Sequence, residues 1–331
     1  MNNLLFIGHN YHKKTKSADF IIDLLREKYD VTTFYYDPYS EDINTAFDSL
    51  NEAKFDVVVI WQITPDIRKM QNMLHSKHFV FFPMYDQSGL ASDEFWYNYE
   101  KVRIICFSKT LALHLKDLGL DYRYIQYFPK PAKYKKKKND IGIFFWQRVN
   151  KININTILSL FKNMKIDRLH MHKAIDPQNQ FMDIESKKIN VTYSEWFSNK
   201  EELFNKIQEF PIYIAPRPTE GIGMSFLEAM AMGCCVISAN KPTMNEYITD
   251  GKNGILYNLD NITPLKSFNA ERIGYNAYKY ICTGYKYWEQ NKYKILNWCE
   301  EPIKSNVKKY KKLIRKYKLF NILPLLSIEE L

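Results

Sequence analysis

Two glutamates and the glycines between them are the residues whose types and spacing most readily suggest chemistry. Glu220 and Glu228 are separated by seven residues, with Gly221 and Gly223 in between. Residues 224–232 read as a helix closed by Gly233, apolar on nearly every side through Phe226, Leu227, Ala229, Met230 and Ala231. Glu228 is the exception on that helix, and a buried carboxylate is costly unless something hydrogen-bonds it. At the rise of a helix the two carboxylates are set ~12 Å apart, the span of a sugar joined to a nucleotide rather than of a metal site. Gly221, Ile222, Gly223, Met224 and Ser225 bring the backbone to a helix N-terminus, where free N–H groups and the helix dipole favour phosphate.

The elements that must position these residues follow from the apolar pattern. Residues 212–215 form a short apolar run ending at Pro216-Arg217-Pro218, and residues 234–239 form another after Gly233. Strand, loop, helix, strand is the unit from which parallel sheets are built. Upstream, residues 4–7, 31–36, 55–61, 79–84 and 102–107 read as strands. Helices are expected over 17–29 and 43–52, and residues 8–16 as a loop. This is a Rossmann-like half, whose ligands bind at the carboxyl ends of the strands, here the loops after Ile7, Trp61 and Met84. Residues 141–146 open a second such half. It continues with a helix over 155–164, strands at 168–171 and 189–191, and a helix over 201–208. Residues 129–140 combine two prolines with a lysine cluster and read as the linker, either a solvated hinge or an electrostatic contact with a membrane or polyanion.

At the central stretch the chain resembles the retaining, family-4 (group 1) glycosyltransferases of the GT-B fold. Glu220, seven residues, Glu228, Ala229-Met230-Ala231-x-Gly233, a strand, Glu246 and Asp250-Gly251-x-x-Gly254 carry the resemblance. It covers mainly residues 212–257, extends to 141–151 and is architectural elsewhere. It implies an α/β chain of two Rossmann-like domains facing each other across a cleft: an acceptor domain over 1–133, a nucleotide-sugar domain over 139–285, and basic helices over 286–331 crossing back to the first. The implied reaction moves a sugar from a nucleotide-diphosphate donor to an acceptor hydroxyl with retention of configuration and without a metal, the leaving phosphate taking the acceptor proton.

The resemblance also implies roles for particular residues. Glu220 faces the donor sugar, Glu228 holds the ribose hydroxyls, and Glu246 either supports the site from behind its lining or fixes a loop. Arg148 and Lys151 grip the donor diphosphate, where fixed cations stabilise the negative charge that grows as the sugar leaves. Trp196 falls where relatives cover the base, and reads either as a stacking partner or as a rim aromatic. Arg217 replaces a small hydroxyl residue and either adds a phosphate contact or lines the surface. Tyr85-Asp86 stands where many relatives carry a histidine and an acid, so it is either catalytic or a turn capped by aspartate. Gly8, His9, Asn10, Lys13 and Lys14 are acceptor-side candidates.

Composition sets the remaining bounds. The 331 residues suit two domains, and 46% hydrophobic content is enough for two cores. Five cysteines lack paired spacing, which fits a reducing cytoplasm. No apolar run is long enough for a signal peptide or a membrane span. The pairs His9/His12, His75/His78 and His170/His172 have no cysteine or carboxylate at ligand spacing, and no metal is expected. A net charge of +10 favours anionic partners. Residues 303–318 pattern as a basic amphipathic helix, suited to packing on the first domain, to an anionic membrane surface, or to both. A glycan or lipid-linked acceptor in bacterial surface-glycan assembly is the leading expectation. A DNA-modifying glucosyltransferase and a non-catalytic sugar-binding protein are the alternatives.

Overall fold

A computed structural model describes residues 2–307 apart from 39, 51–52 and 185–188. The chain divides into two compact units. One comprises residues up to 125 with the described residues from 292 on, and the other residues 126–291. Much of the basic helix expected over 303–318 lies outside the described residues. Among the described residues no helix is long and apolar enough to cross a membrane.

The first unit holds six parallel strands: β1 (Asn2–His9), β2 (Tyr29–Tyr36), β3 (Lys54–Trp61), β4 (His75–Phe82), β5 (Arg103–Cys106) and β6 (Tyr122–Tyr124). Their order is β2-β1-β3-β4-β5-β6, with Leu4 paired to Val31 on one side and Val57 on the other. Val57, Val58, Val59, Ile60 and Trp61 are all buried, as a central strand covered on both faces requires. Three sequence expectations are corrected here. The segment after β1 is a short helix, Asn10–Thr15, stopped at Lys16 in the left-handed region. The helix expected over 43–52 is a short one, Ile43–Phe47, followed by a 3-10 turn, Asp48–Leu50. The turn at Tyr85-Asp86 is a four-residue helix, Tyr85–Ser88, preceded by Met84 without a side-chain cap.

Chain from the far end completes this unit. Arg103 on β5 is 1% exposed, ion-pairs with Asp121 at 2.7 Å, and donates to the carbonyls of Trp298, Glu301 and Pro302. Asp121 in turn accepts from the amide of Lys304, and Arg123 reaches Glu301.

The second unit holds β7 (Gly142–Trp146), β8 (Arg168–His172), β9 (Asn190–Ser194), β10 (Ile212–Ile214), β11 (Cys235–Ala239) and β12 (Ile255–Tyr257). The order is β12-β11-β10-β7-β8-β9, again all parallel. This is the doubly wound dinucleotide-binding arrangement, and its strand order reverses between β7 and β10. The crevice beyond the carboxyl ends of those two strands is where such a sheet binds ligands.

The division between units falls after Ile125, earlier than the expected linker over 129–140. That stretch belongs to the second unit because it is tied there. Ala132 donates to the carbonyl of Ala231, Tyr134 packs edge-on to Tyr275 and tilted against Tyr278, and the buried Lys137 donates to the carbonyl of Gln208 at 2.8 Å. Four neighbouring lysines, 133, 135, 136 and 138, remain exposed.

Candidate donor site

The loops after β7, β8 and β10 meet at the switch point through one carboxylate. Asp176, in the segment after β8, accepts on Oδ1 from Arg148 Nε at 2.9 Å and Nη2 at 2.6 Å. Its Oδ2 accepts from Arg217 Nε at 3.0 Å and again from Nη2. One aspartate therefore holds two guanidinium groups side by side, which their like charge would otherwise oppose. Arg148 also lies over the Trp146 ring, 4.8 Å from its centre.

Backbone locking fixes this arrangement. The Asp176 amide donates to the Arg148 carbonyl at 3.0 Å. The buried Gln147 side chain donates to the Gln180 carbonyl and accepts from the Met182 amide. Asn150 and Asn179 each accept a backbone amide from the other's loop, from Gln180 and from Asn150 respectively. The segment after β8 thus has its polar groups satisfied by the loop after β7, as loops held rigidly at a site must.

The loop after β10 runs from Arg217 through the buried Glu220, Gly221 and Ile222 to the helix Met224–Ala231. The Glu220 amide donates to the Pro242 carbonyl at 3.2 Å. Gly223 precedes the helix with φ +79°, and a Cβ there would meet Cε1 of Phe226 at 1.9 Å. Gly223→Ala is expected to cost ~1–3 kcal/mol from backbone strain alone, before Phe226 is displaced. Thermal unfolding of the variant checks this, with an unchanged Tm as the contrary result. Gly233 closes the helix at φ +76°, and the helix Ala270–Asn291 presses against it: a Cβ on Gly274 would lie 2.2 Å from the Gly233 carbonyl oxygen.

Glu228 is the only polar ionisable residue of its helix, and its side chain is 14% exposed. Burial raises its pKa, and Lys200, the first residue of the helix Lys200–Gln208, opposes that by hydrogen-bonding Oε1. Beneath these loops sits Tyr213 of β10, wholly buried. Burial raises the pKa of its hydroxyl, Glu220 and Glu228 add to the effect, and Arg148 works against it. The Asp250-Gly251-x-x-Gly254 turn is built by its own groups: Gly251 donates to the Gly254 carbonyl, and Asp250 accepts from the Leu256 amide. Glu246 is half-buried, and its carbonyl accepts from Gln126 Nε2 at 3.3 Å.

Other sequence candidates fall elsewhere. Lys151 is exposed and takes no part in the arginine–aspartate cluster. Trp196 is 58% exposed, edge-on to Trp146 with ring centres 6.3 Å apart, a rim position. His170 and His172 share Ser194 Oγ at 2.8 Å each, and burial lowers both pKa values to about 4. Among the described residues no three His, Cys, Asp or Glu side chains gather as metal ligands.

In the first unit the corresponding reversal lies between β1 and β3, the strands that end at His9 and Trp61. Gly8 is packed under Tyr35, where a Cβ would lie 3.3 Å from the ring. His9 Nδ1 accepts from the Tyr11 amide, and its Nε2 lies 3.3 Å from Asp37. Asn10 donates to Glu41, and Lys13 is exposed. Tyr85 packs against the core of this unit, and Asp86 follows it half-buried in the first turn of its helix.

Residues 165–267, inside the second unit, match the family model described as glycosyl transferases group 1. Over that stretch the second unit is similar to the group 1 glycosyltransferases. No curated protein matches the chain by sequence. Solved structures extend the comparison to both units. TarM superposes with a TM-score of 0.59 at 19% identity over 77% of the chain, which spans 57% of TarM's length. The lipopolysaccharide outer core galactosyltransferase WaaB, in its apo form, gives a TM-score of 0.53 at 16% identity, covering 97% of the chain and 100% of WaaB. HepE from Anabaena, in complex with UDP-glucose, gives 0.55 at 12% identity, covering 88% of the chain and 99% of HepE. The fold is GT-B, an α/β architecture of two Rossmann-like domains.

The sequence missed Asp176 and Lys200. The signal for both was indirect: two arginines and one buried glutamate that each needed an opposite charge.

Proposed function

We propose that the protein transfers a sugar from a nucleoside-diphosphate donor to an acceptor hydroxyl, with retention of anomeric configuration and with no metal. The observation that carries this reading is the pair of guanidinium groups, Arg148 and Arg217, held side by side by Asp176 at the switch point of the second sheet, with Arg217 on the loop that leads to Glu220 and Glu228. In this reading Arg148 and Arg217, spaced by Asp176, take the diphosphate. The amides at the start of the helix Met224–Ala231 lie at the end of the same loop and add to the attraction for phosphate. Glu228 accepts the ribose hydroxyls, and Glu220 faces the sugar. As the bond from the anomeric carbon to the diphosphate breaks, charge grows on phosphate oxygens already facing fixed cations. The acceptor hydroxyl forms the new bond on the same face, and its proton passes to the departing phosphate.

The acceptor in this reading is a glycan or lipid-linked glycan of a bacterial surface, modified at the inner face of the plasma membrane. WaaB, a lipopolysaccharide outer core galactosyltransferase of the same fold, supports that class, and the +10 charge suits an acceptor carrying anionic groups. The loops after β1, β3 and β4, with His9, Asn10, Lys13, Tyr85 and Asp86, are the acceptor-side candidates.

The test is a thermal-shift screen of the full chain against nucleoside diphosphates and their sugar conjugates in metal-free buffer, since a ligand bound only to the folded state raises Tm. UDP is the first candidate, because HepE holds UDP-glucose. A shift with one base is expected, lost in Glu228→Ala. Glu220→Ala should keep the nucleoside-diphosphate shift and lose transfer. No shift with any of the ligands, or turnover unchanged in both variants, would overturn the assignment.

A further inference from the structure

We propose that Lys200 is a positioning residue of the donor site, holding the Glu228 carboxylate in the place in which it receives the ribose. The inference rests on the donor reading above and adds to it a residue outside the motif that identifies the site.

Lys200 is not placed like an ordinary surface lysine. Its helix starts at a fixed point, because Asn199 accepts from the Glu202 amide at 2.9 Å and donates to Glu202 Oε1 at 3.1 Å. Glu202 Oε2 in turn accepts the Ser198 amide at 3.2 Å. The side chain then passes Phe204, one turn on, with the ammonium 5.1 Å from the ring centre, and ends on Glu228 Oε1. Its other side is open, since Lys200 is 60% exposed while Glu228 is 14% exposed. An ammonium at the mouth of the site thus meets a carboxylate set back from it.

The pairing has a physical consequence for binding. A carboxylate at this depth favours the neutral form, and a neutral carboxyl is a weaker acceptor than a carboxylate for two sugar hydroxyls. Lys200 works against that burial. It engages one oxygen, leaving Oε2 and the remaining lone pair of Oε1 for a ligand. Exposed ion pairs contribute little, but a pair with one buried member leaves an uncompensated charge when the other is removed.

The experiment compares UDP with 2′,3′-dideoxyuridine diphosphate by calorimetry on the full chain, or the matching pair for whichever base binds. Wild type, Lys200→Met, Lys200→Arg and Glu228→Ala are measured, each after its Tm has shown that it folds. Lys200→Met is expected to weaken UDP binding ~10-fold, the loss of one charge-assisted contact, and Lys200→Arg to restore most of it. For the dideoxy ligand the same substitution should change little, and in a Glu228→Ala background it should add nothing. Equal losses for both ligands would assign Lys200 a general structural or charge role. Unchanged UDP affinity in Lys200→Met would overturn the inference alone. Failure of wild type to bind any nucleoside diphosphate would overturn the donor reading and this inference with it.

Discussion

Arg148→Ala is expected to lower the rate of sugar transfer by ~10²–10³, the effect of removing one preorganised group facing charge that develops in a transition state. Arg148 is the stronger of the two guanidinium candidates because its side chain is only 14% exposed, against 26% for Arg217. A cation shielded from water acts on the leaving diphosphate through a lower effective dielectric. Asp176 spends Oδ1 on two N–H groups of Arg148, which leaves Nη1 and part of Nη2 for phosphate. The loss should therefore fall mainly on turnover, with a smaller change in nucleotide affinity. Asp176→Ala should also be severe, since it releases two like charges held side by side. The cycle Arg148→Ala, Asp176→Ala and the double variant should show strong coupling, because each residue acts through the other. A fall of less than threefold in Arg148→Ala, or strictly additive losses, would mean that the cluster serves the fold alone. Steady-state kinetics with the donor identified by the thermal-shift screen decides between these outcomes.

The members of this cluster differ in how legible they were. Arg148 and Arg217 were visible because each directly follows an apolar strand-like run, where loops at the carboxyl ends of a parallel sheet begin. Asp176 was not, because it lies in an irregular stretch between β8 and β9 with no periodicity to mark a position. Its partners are 28 and 41 residues away, so only the folded chain brings them together. Lys200 falls just before the helix expected over 201–208 and carries no signal of its own, because its partner Glu228 is 28 residues away. The same limit applies to the fold. Long buried strands such as β3 were evident from their continuous apolar residues. The three-residue strands β6 and β12 were not, since so short a run carries no period and is fixed by pairing with β5 and β11. The lysine-rich stretch 129–140 misled because composition cannot show that Lys137 is buried on a backbone carbonyl while its neighbours face water.

Arg103→Met is expected to destabilise the first unit by ~3–5 kcal/mol, the cost of breaking a buried ion pair from one side. Arg103 is 1% exposed, so its loss removes the buried one of Asp121's two guanidinium partners and strands the carbonyls of Trp298, Glu301 and Pro302 in one step. At ~2–4 °C per kcal/mol for a unit of this size, the melting transition should fall by roughly 10 °C. The damage should also be local. Residues 298–304 are tied to β5 and the chain before β6 largely through this pair and the Lys304 amide, so the variant should be cut by protease in that stretch while wild type resists. The pair also predicts a pH response. Burial alone would raise the pKa of Asp121, but the Lys304 amide, Arg103 and Arg123 outweigh it, and the net shift is downward. A carboxylate whose pKa is lower folded than unfolded contributes stability above its unfolded value of ~3.9 and loses it as pH falls through the folded value. Asp121→Asn should therefore be less stable than wild type at neutral pH and should flatten the acid limb of the stability profile. An unchanged Tm and cleavage pattern in Arg103→Met would show that the returning segment is held by its other ties, the Arg123–Glu301 and Lys28–Glu300 pairs and the buried Ile295, Leu296 and Val307.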